Sequence, residues 1–123
     1  MILEINNSDW PALCRRISQE RTGAMVKLSV IESNGIKTER VAGAAFQSLV
    51  FDKTSGCNDA ITLRLGDSRE IVCEIIDPIR ITLHPSGASG DFNPLQIAAE
   101  NGVFIITFHP ALHAQMLRDL KTN

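Results

Sequence analysis

Trp10, Leu13, Cys14 and Ile17 recur at the i, i+3, i+4, i+7 spacing of one helix face, and Ser8 and Asp9 stand ahead of them as N-cap residues. Pro11 is tolerated in a first turn, where its missing N–H would have no intrahelical partner. The spacing predicts a helix from about Asp9 to Arg21, stopped near Gly23, with Arg15, Arg16, Gln19 and Glu20 on its wetter side.

Beyond Gly23 the period changes from 3.6 to 2. Val26, Leu28 and Val30 alternate with Lys27 and Ser29, Asn34-Gly35 supplies a tight hairpin turn, and Ile36 to Val41 return antiparallel. Ala42-Gly43-Ala44-Ala45-Phe46 predicts a bulge or bend before an extended piece at Leu49, Val50 and Phe51. A loop over Asp52 to Asp59 leads to Ile61, Leu63 and Leu65, then to a turn at Gly66-Asp67-Ser68 and a strand over 71–76. Asp77-Pro78 interrupts the ladder before Ile79, Ile81 and Leu83 resume the alternation. His84 to Asn93 reads as the longest polar loop, Leu95 and Ile97 lead to a second hairpin signal at Asn101-Gly102, and 103–108 form the last strand. Pro110 opens a final helix with Leu112, Met116, Leu117 and Leu120 on its apolar side.

Segments 71–76 and 103–108 are apolar at consecutive positions, whereas a sheet wetted on one side alternates. At about 25 cal/mol per Å² of apolar surface, leaving Phe104, Ile106 and Phe108 in water forgoes several kcal/mol, so both faces are expected to be covered. The expected fold is therefore α+β: an N-terminal helix, a curled antiparallel sheet or half-barrel of about six to seven strands, and a short C-terminal helix. Helical cover is completed, where it falls short, by a second copy of the chain. At 123 residues one domain over the whole length, 1–123, is expected.

Composition narrows the function classes. The chain is 44% apolar and 21% charged, which excludes a disordered protein. Twelve basic against fourteen acidic residues give a net charge of −2, which argues against steering by a nucleic acid backbone or an anionic membrane. Arg64, Arg69 and Arg80 form a basic stripe on one sheet face, but no Tyr and a single Trp accompany them, so an arginine face paired with Glu70 and Glu74 is preferred to a nucleic acid platform. The start of the chain has no basic and apolar leader, no segment reaches membrane-spanning length, and three unpatterned cysteines fit a reducing compartment, so a cytoplasmic protein is expected.

The search for chemistry returns mostly absences. His109 and His113 have the i, i+4 spacing of paired metal ligands, but Pro110 disfavours helical geometry at His109, and no metal or cofactor is expected. Cys14 and Cys73 read as core thiols and Cys57 as an exposed one. The Asp52 to Asp59 loop spaces oxygen donors like a calcium loop but has Cys57 at its sixth position and Leu63 at its twelfth. His84-Pro85-Ser86-Gly87-Ala88-Ser89-Gly90-Asp91 satisfies neither the nucleophile-elbow nor the phosphate-loop pattern.

Taken in order, Trp10 ahead of an amphipathic helix, Gly23 before a Val-rich strand, the Asp77-Pro78 break and Asn101-Gly102 before the last strand resemble an uncharacterised bacterial family. That family is a domain of unknown function of about this length, with a Trp near the start of its first helix and five or six strands behind it. The resemblance covers about residues 5 to 108, and the segment after Pro110 departs from it. It implies the helix-then-sheet arrangement and no activity, and it supplies no catalytic residues.

Two function classes follow. The first is a non-enzymatic interaction module, self-associating or binding a protein partner through a sheet edge or an apolar face. The second is a small-ligand binder or modest enzyme with a pocket at the mouth of the curled sheet, lined by His84, Ser86, Ser89 and Asp91 with His109 nearby. The missing catalytic patterns favour the first.

Overall fold

A computed structural model describes residues 2–53, 59–87 and 90–123. The chain runs β1 (Leu3–Ile5), a 3₁₀ turn (Asn7–Asp9), α1 (Trp10–Arg21), β2 (Met25–Ile31), β3 (Lys37–Asp52), β4 (Ala60–Leu65) and β5 (Ile71–Ile76). It continues with β6 (Pro78–Ser86), β7 (Asp91–Ala99), β8 (Gly102–His109), β9 (Leu112–His113) and a 3₁₀ turn (Ala114–Leu117). All pairings are antiparallel, in the order β1-β6-β7-β8-β2-β3-β4-β5, with β9 beside β7. This is the expected α+β arrangement, a large curled sheet with one N-terminal helix, and it does not close into a barrel.

The curl follows from connectivity. β5 is last in the sheet order and β6 is second, yet a single residue, Asp77, joins them. Asp77 has φ 53°, a left-handed conformation that Asp tolerates better than most residues, and its N–H donates to the Asp59 carbonyl at 2.8 Å. The far end of the sheet must therefore return to the strands at its beginning. Glu100 N–H completes the approach by donating to the Ile76 carbonyl at 3.0 Å.

β3 makes the curl possible. Its first half pairs with β2 as far as Ala45 and its second half pairs with β4 from Phe46, and β3 carries the extra residue at each register shift, opposite the steps on either side of Leu28 and between Phe46 and Ser48. Small side chains over Ala42 to Ala45 allow the bend, so the sequence expectation of a bulge there is met within one continuous strand. Inside the curl lie Leu28 and Val30 of β2, Phe46 and Leu49 of β3, Ile61 to Leu65 of β4 at alternate positions, Ile75, and Phe104, Ile106 and Phe108. Phe46 and Phe108 meet edge to face with centroids 5.3 Å apart. α1 closes this core with Trp10, Leu13, Cys14 and Ile17, as its periodicity predicts. Trp10 Nε1 donates to the Ile5 carbonyl at 3.1 Å, so its one polar atom is satisfied.

Four expectations are corrected. Among the described residues the second faces of 71–76 and 103–108 are at most partly covered: Val72 and Ile76 are exposed, and Val103, Ile105 and Thr107 are half-buried. β-branched residues fit a pleated strand whether or not their outer face is dry, so an apolar run overstates burial. Ile79 does not continue the inward alternation, because the register shifts between Pro78 and Arg80 and leaves it 67% exposed. The His84 to Asn93 loop is largely strand: β6 runs to Ser86 and β7 begins at Asp91. Asn93 makes this feasible beside Pro94, since its side-chain oxygen accepts from Phe108 N–H at 2.9 Å and its amide donates to the Phe108 carbonyl at 2.7 Å. Finally, the segment after Pro110 forms β9 and a four-residue 3₁₀ turn instead of an amphipathic helix. Leu112 and Met116 are buried all the same, because pairing of Leu112 with Phe92 satisfies the backbone while seating the side chain. β1 and β9, too short to read from periodicity, raise the strand count to nine.

The Asp77 corner is directly testable. Asp77→Gly should leave the urea midpoint unchanged or raised, whereas Asp77→Val should lower stability by about 1–3 kcal/mol, the cost of a β-branched residue at positive φ. Equal losses for the two variants in equilibrium unfolding would show that the corner conformation is not what matters.

Candidate functional site

The two ends of the sheet are treated differently. At β1 the tail of the chain supplies a partner: Asn6 N–H donates to the Lys121 carbonyl, Asn123 N–H donates to the Glu4 carbonyl, and Ile5 bridges Thr122. At β5 no strand follows. Asn101 instead takes part of the edge, its Oδ1 accepting from Ile76 N–H at 3.0 Å and its Nδ2 donating to the Glu74 carbonyl at 2.9 Å. Since outward and inward backbone groups alternate along an antiparallel strand, the outward-facing residues are Val72, Glu74 and Ile76. Among the described residues the N–H and carbonyl of Val72 and the N–H of Glu74 are left without a strand partner.

These groups border a cleft of about 440 Å³ between the β5 edge and the inner sheet face, lined by Leu28, Val30, Val41, Ile71, Cys73 and Phe104. Arg40 stands at its margin and is ion-paired to Glu32 at 2.8 Å. Cys73, expected as a core thiol, is half-buried here. Burial pushes its pKa up, and the neighbouring Arg40 charge partly offsets the rise. Cys14 is buried against the helix, and burial pushes its thiol up to about 12. Cys57 and most of the Asp52 to Asp59 loop lie outside the described residues.

The pocket residues expected from sequence divide. Ser86 and Asp91 are register partners across the β6–β7 hairpin, and Ser89 lies outside the described residues. His84, on β6, has its Nε2 buried with no hydrogen-bond partner among the described residues. His109, at the end of β8, lines a different cleft with Lys27, Ser29, Lys37 and Glu39 on the outer face of the sheet. The partner that Asp91 finds is His113: Nδ1 lies 2.6 Å from Asp91 Oδ1, because β9 pairs the two residues directly. From sequence His113 is half of a metal-ligand spacing or a helix-face histidine, and neither reading pairs it with Asp91. The signal missed was the strand character of Leu112-His113, which two residues are too few to display.

His113 also lines a polar cleft of about 550 Å³ with Arg16, Gln19, Glu20, Arg21, Gln115, Arg118 and Asp119. Two of its arginines tie the C-terminal segment to α1. Arg16 donates to the Met116 and Arg118 carbonyls, and Arg21, only 8% exposed, donates to the Ala111 carbonyl through Nη2 at 2.6 Å. The basic stripe is largely neutralised, with Arg64 paired to Glu70 at 2.6 Å and Arg80 to Glu4, in place of Glu74, at 3.2 Å. Among the described residues no cluster of three or more His, Cys, Asp or Glu is placed to hold a metal, and no helix is long and apolar enough to cross a membrane. Comparison with models of protein families, with curated proteins and with solved structures found no match.

The two thiols report these environments. In a Cys57→Ser background, a maleimide should modify Cys73 before Cys14, and Cys14 only on unfolding. Because the folded-state pKa of Cys14 is raised from about 9 to about 12, the unfolded chain gives up this proton first as pH rises. The associated stability is intact below pH 9 and is lost between about pH 9 and 12. Urea unfolding between pH 8 and 10.5 should therefore show a steeper decline for the native sequence than for Cys14→Val; parallel declines would contradict the assignment.

Proposed function

We propose that this chain is a protein-interaction module that accepts an extended segment of a partner protein as an added strand at β5. One observation carries the reading: the sheet covers its β1 edge with its own tail but, among the described residues, leaves the N–H and carbonyl of Val72 and the N–H of Glu74 without a partner beside a partly apolar cleft. Strand edges are usually blocked, because an open one pairs with whatever extended chain it meets. In strand addition the backbone groups supply affinity and alternate side chains of the guest supply specificity by filling pockets. Here Leu28, Val30 and Phe104 form the floor, so apolar guest side chains at every second position would be selected. Asn101 limits the register, since it already occupies the Glu74 carbonyl and the Ile76 N–H. The free thiols are compatible with a reducing compartment, and we place the module in the cytoplasm, acting as one domain over 1–123.

Val72→Pro separates this reading from its rivals. The outward N–H of Val72 is not used by β4, so proline removes it while sparing the ladder, and the residue sits on an edge strand where proline is tolerated. Peptides selected from a displayed random library against the native protein should show apolar residues at alternate positions and lose at least about tenfold in affinity for Val72→Pro. They should also slow maleimide modification of Cys73. Selected peptides that bind both proteins equally would overturn the reading. A concentration-dependent dimer in sedimentation that Val72→Pro abolishes would replace the foreign segment with a second copy of the chain.

A further inference from the structure

The polar cleft beside α1 is a second place where the chain offers unfilled binding capacity, and it is independent of the β5 edge. Three arginines, Arg16, Arg21 and Arg118, line it with His113, against two acidic residues, Glu20 and Asp119, and Arg21 is already committed to the Ala111 and Glu20 carbonyls. None of the three arginines forms an ion pair within 4 Å among the described residues, although the protein carries net negative charge and pairs Arg40, Arg64 and Arg80 elsewhere. Local positive charge concentrated in a concave site of an acidic protein attracts anions.

Two of the donors, Arg16 and His113, are held in place. Arg16 is pinned through Nη1 to the Met116 and Arg118 carbonyls, leaving its remaining N–H groups uncommitted. Arg118 has no side-chain hydrogen bond among the described residues and follows directly on the 3₁₀ turn Ala114–Leu117. His113 is oriented through Nδ1 by Asp91, so Nε2 is the ring atom left for a ligand. Arg16 comes from α1, and His113 and Arg118 from opposite sides of the turn. A tetrahedral oxyanion with several acceptor oxygens satisfies donors arriving from separate directions better than a planar carboxylate does. Glu20 and Asp119 carry acceptors on the same walls and call for a ligand that also carries hydroxyl donors.

We infer that this cleft binds a phosphate monoester of a polyhydroxy compound, with Arg16 and Arg118 on the phosphate and His113, held by Asp91, on a hydroxyl. Its volume of about 550 Å³ falls in the range of small-molecule sites.

The probes are glycerol 3-phosphate, inorganic phosphate and glycerol, titrated into isotopically labelled protein at constant ionic strength and followed through the His113 ring and Arg side-chain resonances. Glycerol 3-phosphate should give saturable shifts at His113 and Arg16, inorganic phosphate weaker ones, and glycerol none. Arg118→Gln should weaken both phosphate ligands at least about tenfold, as expected for loss of one charge-assisted contact. His113→Gln should weaken glycerol 3-phosphate while leaving inorganic phosphate within about twofold. Arg69→Gln, outside this cleft, should change neither. The inference is overturned by shifts that do not saturate by about 10 mM, by saturation that Arg118→Gln leaves intact, or by equal effects of Arg69→Gln.

Discussion

A one-residue link between strands that stand at opposite ends of a sheet admits only a curled sheet. Asp77 is that link, and its left-handed backbone turns the chain from β5 into β6 without a loop to absorb the distance. The rest follows from this corner. β3 has to bend so that its two halves can serve β2 and β4, and small residues stand at the bend. The β7–β8 hairpin has to meet the β5 edge, and Glu100 and Asn101 supply the bonds. The interior of the curl then holds the aromatic and branched side chains that a flat sheet would have exposed on one side.

Of the two end strands of this unclosed sheet, the chain covers β1 with its own tail and β5 only in part. The tail lies along β1 and fixes the start of α1 as well, with Lys121 N–H donating to Asp9 at 2.6 Å and Asn123 bonded to Asn6 and Glu4. At β5 the blocking stops at Glu74, and beside it lies a slit lined by Leu28, Val30, Val41 and Phe104 together with Arg40, Glu74 and Asn101. The same fold thus protects one edge and presents the other, which links the architecture to the proposed recognition of an extended chain. The polar cleft is a by-product of the same economy of chain: the C-terminal segment needs Arg16 and Arg21 to satisfy its carbonyls, and this gathers cationic groups beside His113.

Much of the architecture was legible where local chemistry and long-range packing agree. The Trp10, Leu13, Cys14, Ile17 face, the two Asn-Gly hairpins and the inward alternation of β4 and β8 all appear at the expected residues. Legibility failed where a distant partner decided the outcome. Pro110 and the spacing of Leu112, Met116 and Leu117 have helical character by themselves, but Phe92 offers Leu112 a ladder and Arg16 offers the following carbonyls a donor. Two glycines and a proline among polar residues read as a loop at 84–93, and the side-chain amide of Asn93, which stands in for backbone bonding, is invisible to periodicity. The candidate site was only partly legible for the same reason: Asp91 was identified, but its partner His113 is brought to it by a two-residue strand, and the β5 slit is defined by what fails to pair.

The β5 edge is half occupied. Amide hydrogen exchange of the free protein reads this one residue at a time, because an N–H without a partner exchanges fast even in a folded strand. Slow exchange is predicted for Ile71, Cys73, Ile75 and Ile76, with fast exchange at Val72 and Glu74 between them. Uniform protection from 71 to 76 would contradict the account, since β5 would then be an interior strand or an edge already filled.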